Sequence, residues 1–169
     1  MKNKLIPYII LFVIALGFFN IAYKVLPTVK ATNVEGIISQ DTLWTLVDSP
    51  YIVTNNLTVN PSVTLTIEPG VEVRFGGDFS LKVLGTILAR GTPEKVILFT
   101  TNDPTNQDYW QSISISGTQA TFTYCTIEYG TNGTVLQSGS LEILNTNIQS
   151  NTQNGIVING GTANINDCE

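Results

Sequence analysis

The heptapeptide YCTIEYG, residues 124–130, places a thiol, a carboxylate and two phenols close together. Such a set could supply the nucleophile and the acid of an active site. A catalytic cysteine needs a base that generates its thiolate, and this base is usually histidine. The chain contains no histidine. We therefore interpret Cys125 as a small buried side chain and Glu128 as a solvated residue of the surface.

Paired carboxylates are the next class of catalytic group to consider. Glycoside hydrolysis uses two carboxyl groups that lie about 5 to 9.5 Å apart. Glu68 and Glu72 are close in sequence, but a Pro-Gly turn separates them. The position one repeat after Glu128 is Gln149, so no second acid is stacked there. The sequence contains no clear catalytic constellation, and whether the chain is an enzyme stays open, with the balance against it.

The loop TTNDPTNQDYW, residues 100–110, has the densest cluster of side-chain oxygens in the chain. Hard cations such as Ca²⁺ take six to eight oxygen ligands, and loops supply them. Asp103 and Asp108 are therefore candidate calcium ligands, and calcium is the only cofactor that the sequence suggests. Asn, Asp and Pro also build ordinary turns. Because EF-hand spacing is absent, we favour a plain loop over a calcium site.

The N-terminus differs from the rest of the chain. Lys2 and Lys4 precede a mostly apolar run from Leu5 to Phe19, a pattern typical of secretory signals. Apolar residues resume from Ile21 to Leu26, so an anchor helix of about 20 residues is equally consistent. We predict that residues 1–31 are a signal peptide or membrane anchor. The protein is then extracellular or at the cell surface, and this segment is its only contact with the membrane.

Beyond residue 31 the chain is acidic, with 4 basic residues against all 13 acidic ones. This balance excludes the basic surface that nucleic-acid binding requires. From Tyr51 onward, apolar and polar residues alternate, as in Val63, Leu65 and Ile67. A period of two predicts half-buried strands, and sequences such as EPG and FGGD mark the turns between them. The predicted fold class is all-β.

The C-terminal half repeats itself. When the sequence is shifted by one repeat at a time, Phe122, Ile143 and Ile165 coincide, and Cys125 coincides with Thr146 and Cys168. A period of about 21 to 22 residues without helices predicts a β-solenoid whose coils stack about 4.8 Å apart. The two cysteines would then be two coils, or about 9 to 10 Å, apart. A disulfide requires Cα atoms within about 7 Å, so we predict two free thiols.

Four segments carry a family resemblance: LTIEPGVEVRF, GTILARGTPEKVILFTTN, DYWQSISISG and FTYCTIEYG. They resemble right-handed parallel β-helix repeat proteins of the pectin-lyase-like superfamily, above all exported bacterial and archaeal surface proteins. The resemblance covers roughly residues 35–169 and implies a single-stranded, right-handed parallel β-helix. The superfamily includes polysaccharide lyases, hydrolases, adhesins and surface proteins, so the fold does not decide the function.

Lyases of this fold combine calcium-binding aspartates with a Lys or Arg base. Arg74 and Lys82 are outward residues of neighbouring coils, but the sequence does not place them beside the aspartates. We interpret them as surface charge that limits aggregation. A sugar-stacking aromatic strip is a further alternative, although we expect its tryptophan to be partly packed at the start of a strand. Its members would be Tyr109, Trp110, Tyr124 and Tyr129.

The predicted organisation is a linker and N-terminal cap over residues 32–50, followed by about five coils over residues 51–169. Leu43, Trp44, Leu46 and Val47 are the expected cap residues. We expect the natural protein to continue beyond the last coil, because NINDCE stops before the residue that would match Ile148. The predicted function is a non-catalytic, exported scaffold or binding module that displays or binds glycans or cell-surface partners. The alternative is the N-terminal part of a polysaccharide lyase or glycoside hydrolase whose catalytic coils lie beyond residue 169.

Overall fold

A computed structural model of the chain describes residues 30–103, 105 and 109–169. The predicted signal or anchor segment therefore lies almost entirely outside the described residues. Among those described, no helix is long and apolar enough to cross a bilayer. The described chain contains sixteen strands: β1 Thr32–Ile38, β2 Thr42–Trp44, β3 Tyr51–Val59, β4 Thr64–Ile67, β5 Glu72–Phe75, β6 Leu81–Val83, β7 Thr86–Arg90, β8 Ile97–Thr101, β9 Ile113–Ile115, β10 Gln119–Thr123, β11 Cys125–Glu128, β12 Asn132–Leu136, β13 Ser140–Leu144, β14 Asn147–Gln149, β15 Asn154–Ile158 and β16 Thr162–Asn166. A 3-10 turn, Leu46–Asp48, follows β2.

The strands form three parallel stacks, which we name faces A, B and C. Face A contains β5, β8, β11 and β14, face B contains β6, β9, β12 and β15, and face C contains β2, β4, β7, β10, β13 and β16. The long strand β3 joins the first two faces, because its first half pairs with β5 and its second half with β6. Strand β1 pairs along both halves of β3. The chain is thus a parallel β-solenoid.

The solenoid has about six turns, one more than the sequence suggested, since face C contains six strands. The additional strands are β1 and β2, within the segment predicted as a linker and cap. Of the four expected cap residues, Trp44 is buried and stacks on Tyr51 with 4.6 Å between ring centroids. Leu43, Leu46 and Val47 are exposed.

Alternate residues of most strands point inward and form one continuous apolar core, whereas the last strand, β16, is exposed. Val73 and Phe75 of β5, Ile113 of β9 and Phe122 of β10 are all fully buried. Because successive coils fill the interior with their side chains, the stacking of coils and the burial of apolar surface occur together.

The predicted register of the C-terminal half is confirmed. Phe122 pairs with Ile143, and Ile143 pairs with Ile165. At the corner between faces C and A, Tyr124, Asn145 and Asp167 have φ angles of 49°, 49° and 52°. This repeated left-handed residue turns the chain from one face to the next, and Asn and Asp tolerate it better than most side chains.

Glycines shape the corner between faces B and C. A Cβ atom on Gly117 would overlap the carbonyl oxygen of Gly85, and one on Gly139 would overlap that of Gly117. Gly161 has the same relationship to Gly139. The coils can stack closely at this corner because these positions have no side chain.

Candidate binding groove on face A

A column of polar side chains runs along the outside of face A, parallel to the solenoid axis. Arg74 of β5 pairs with Thr100 of β8, the pairing of Ile127 with Phe99 places Glu128 over Thr100, and Glu128 pairs with Gln149. We name Arg74, Thr100, Glu128 and Gln149 the axial column. Each of the four comes from a different coil, so its members follow one another at about 4.8 Å.

Hydrogen bonds connect the last three members of the axial column. The Thr100 hydroxyl donates to Oε1 of Glu128 at 3.0 Å, and Nε2 of Gln149 donates to Oε2 of the same carboxylate at 2.9 Å. Thr100 is 7% exposed even though it faces outward. The Glu128 carboxylate is therefore held in a fixed position by neutral donors on both sides.

The Arg74 side chain is held by Glu72, which belongs to the same strand. Its Nε donates to Oε2 of Glu72 at 2.9 Å, and its Nη2 donates to the same oxygen. The two side chains are 39% and 38% exposed, and an ion pair in such a setting adds only about 0 to 1 kcal/mol of stability. Its main consequence is that the guanidinium is oriented along the surface of face A.

These side chains line a shallow groove. One depression is lined by Glu72, Arg74, Leu98, Thr100, Thr101, Asn102 and Glu128. A second, towards the first coil, shares Glu72 and Arg74 with it and is also lined by Ala31, Leu46, Ser49, Pro50 and Gly70. Because the same ion pair borders both depressions, the two adjoin at Glu72 and Arg74, and we refer to them together as the groove.

The backbone positions of Glu72 and Glu128 are far apart. They are two coils apart and two residues apart along the strand, which corresponds to about 12 Å between Cα atoms. Glu72 accepts from Arg74, and Glu128 accepts from Thr100 and Gln149. The arrangement presents fixed hydrogen-bonding groups to a ligand.

Of the two calcium candidates, the structure describes Asp103. Oδ1 of Asp103 accepts from the backbone N–H of Thr105 at 3.0 Å and from its hydroxyl at 2.6 Å, which is the turn chemistry expected of a plain loop. Asp108 lies outside the described residues. Within the described part of the chain there is no group of three acidic, histidine or cysteine side chains that could hold a metal ion. The calcium site stays a prediction.

Trp110 is buried more completely than the sequence predicted. Trp110 is fully buried, stacks on Phe75 and donates from Nε1 to the carbonyl oxygen of Glu128 at 2.9 Å. The indole lies in the core shortly before β9, where it has both an apolar neighbour and a carbonyl acceptor. It cannot belong to a sugar-stacking strip. Tyr109, Tyr124 and Tyr129 are half-buried.

The cysteines have the structural positions that the repeat predicts. Both are free thiols, and Thr146 occupies the coil between them. Burial raises the pKa of the Cys125 thiol from an ordinary value of 9.0 to about 12, and hydrogen bonds lower it only partly. Because the thiol stays protonated at neutral pH, Cys125 is unsuited to act as a nucleophile.

Comparisons with known proteins give one partial match. A stretch of 71 residues, 41% of this chain, is 37% identical to Protein bark beetle of Drosophila melanogaster. The match spans 2% of the length of that protein. No protein-family model matches the chain, and no solved structure matches it.

Proposed function

We propose that the chain is a right-handed parallel β-helix of the pectin-lyase-like type that is exported to the cell surface. There it acts as a non-catalytic module that binds an extended glycan along the groove of face A. A right-handed path is the normal one for crossovers between parallel strands of one sheet. The apolar segment after Lys2 and Lys4 supports export.

The observation that carries the proposal is the axial column. A linear ligand with repeating hydroxyl groups needs hydrogen-bonding partners that recur in a straight line. Arg74, Thr100, Glu128 and Gln149 provide such a line on four successive coils. Because hydrogen bonds already hold these side chains, little further conformational entropy is lost on binding.

The hydrogen bonds of the carboxylates in the groove favour binding over catalysis. These carboxylates are engaged by Arg74 or by neutral donors, and the thiol of Cys125 faces the core. The alternative, a polysaccharide-degrading enzyme with its catalytic groups on other coils, differs in one measurable outcome, which is the release of sugar fragments.

A glycan array and a fragment-release assay on the full chain test the proposal. We expect glycan binding without release. Thr100→Ala should weaken binding, because it removes a donor that fixes Glu128. The matched control is Thr123→Ala, which removes an outward threonine from face C. Binding that is equally weakened by both substitutions, or absent from the unsubstituted chain, would contradict the proposal, and fragment release would support the enzyme.

Export is tested separately. When the full chain is produced with a C-terminal epitope, we expect the epitope to be accessible to protease on intact cells. Removal of residues 1–31 should abolish this accessibility. Unchanged accessibility without these residues would refute the assignment of the segment.

A further inference from the structure

We propose that the groove on face A selects neutral, hydroxyl-rich glycan segments over acidic polysaccharides. This inference rests on the proposed function and names the class of ligand for the same site. It follows from the charges of the groove, which contains two carboxylates, Glu72 and Glu128, and one guanidinium, Arg74.

The positive charge of Arg74 is already neutralised. Its Nε and Nη2 both donate to one oxygen of Glu72. A uronate carboxylate that approached Arg74 would also meet the Glu72 carboxylate, which lies two residues away on the same strand. Because the two carboxylates repel each other, the net attraction of an acidic ligand to this ion pair is small.

Glu128 carries the charge that remains uncompensated. The hydrogen bonds of its carboxylate within the described part of the chain come from Thr100 and Gln149, which are neutral. An acidic ligand lying along the axial column would therefore meet a like charge fixed in the groove, and such juxtaposition suppresses binding. The net charge of −5 for the whole chain also slows the approach of a polyanion.

A neutral glycan meets the opposite situation. Its hydroxyl groups can donate to the carboxylates of Glu72 and Glu128, and such bonds are the strong, charge-assisted kind. The Asn102 amide can both donate and accept. Leu98 pairs with Glu72 on the coil between those of the two carboxylates, and it offers an apolar surface to the C–H groups of a sugar ring. Polar groups flanking an apolar floor are the usual composition of a ligand site.

The test uses calorimetry on the full chain with two panels of oligosaccharides. The neutral panel contains glucan, mannan, xylan and galactan fragments, and the acidic panel contains polygalacturonate and alginate fragments. Each titration is carried out with Ca²⁺ and with EDTA. We expect at least one neutral fragment to bind about tenfold or more tightly than any acidic fragment, a difference of about 1.4 kcal/mol, in both conditions.

Two charge-neutralising variants locate the selectivity. Glu128→Gln should reduce the preference for neutral fragments, whereas Glu142→Gln, on the outside of face C, should leave it unchanged. Tighter binding of an acidic fragment, with or without Ca²⁺, would overturn the inference while leaving the proposed function intact. Equal effects of the two variants would also overturn it, because the selectivity would then come from overall charge. Failure of both panels to bind would remove the proposed function itself.

Discussion

The indole ring of Trp110 lies parallel to the phenyl ring of Phe75, with 4.2 Å between ring centroids and 5° between ring planes. Phe75 is the last residue of β5, and Trp110 follows the loop after β8. The same indole donates to the backbone carbonyl of Glu128 on β11. One buried side chain thus connects the floor beneath the groove to the strand that carries Glu128.

Truncation of this side chain should be costly. We expect Trp110→Ala to lower the free energy of unfolding by about 3 to 5 kcal/mol, because it leaves a large cavity in a closely packed core. Trp110→Phe keeps a ring over Phe75 but loses the bond to the Glu128 carbonyl, so its cost should be clearly smaller. Denaturant titration followed by circular dichroism measures both. Equal midpoints for the alanine variant and the unsubstituted chain would refute the assigned core position.

Two buried threonines provide a matched pair. The Thr134 hydroxyl has no hydrogen-bond partner among the described residues, whereas that of Thr146 donates to the Leu144 carbonyl at 2.9 Å and accepts from the Cys125 N–H at 3.2 Å. Replacing an unsatisfied buried hydroxyl by a methyl group is favourable, whereas removing a satisfied hydroxyl leaves its hydrogen-bond partners unpaired. We expect Thr134→Val to stabilise by about 1 kcal/mol and Thr146→Val to destabilise by about 1 to 3 kcal/mol. Denaturation midpoints that move in the same direction for both variants would contradict this assignment.

The two thiols should differ in reactivity. Cys125 is 2% exposed, and Cys168 is only partly buried. Thiol alkylation needs both access and the thiolate form. We expect iodoacetamide at pH 8 to modify Cys168 in the native chain and to modify Cys125 only after unfolding. Peptide mass spectrometry of the native and denatured protein distinguishes the two sites, and early modification of Cys125 would place it outside the core.

Because the pKa of Cys125 is raised, we expect the folded chain to lose stability at high pH. Burial raises the pKa of Cys125 to about 12 in the folded chain from 9.0 in the absence of burial. Below pH 9 both states keep the proton, so stability is unaffected. Above pH 9 the unfolded chain loses its proton first, and the free energy of unfolding should fall towards pH 12 by at most about 1.4 kcal/mol per pH unit.

The Cys125→Ala variant isolates this effect, since lysines and tyrosines titrate in the same range in both proteins. The difference in unfolding free energy between the unsubstituted chain and the variant should be constant from pH 7 to pH 8.5 and should shrink as the pH rises further. A difference that stays constant up to pH 10.5 would show that the thiol is not buried.

The repeat of the C-terminal half could be predicted because three consecutive coils have nearly equal length. Phe122, Ile143 and Ile165 follow one another at almost the same interval, and the structure pairs them. The alternation of apolar residues also identifies the inward side of most strands, as for Val73 and Phe75. Strand β1 could not be assigned in this way, because Thr32–Ile38 lacks a clear alternation and its register shifts between Val34 and Gly36.

The axial column could be predicted only in its last step, where the repeat places Gln149 one coil after Glu128. Arg74 pairs with Thr100, and Glu128 lies over Thr100, but both intervals are longer than the repeat of the C-terminal half. Insertions in the turns after β7 and β8 lengthen these coils, so the C-terminal period places the wrong residues side by side. Only the backbone pairing of β5, β8 and β11 brings these side chains together.

The sequence alone determined that the chain is a stack of parallel strands, since alternation decides which residues are buried and the repeat decides which residues stack. It also determined that Cys125 and Cys168 lie two coils apart, with Thr146 on the coil between them. The tertiary structure decided which surface residues become neighbours and that Trp110 belongs to the core. The physical reason is that the alternation within a strand decides which of its residues are buried. Which outward residues become neighbours depends instead on the lengths of the loops, which the repeat period does not constrain.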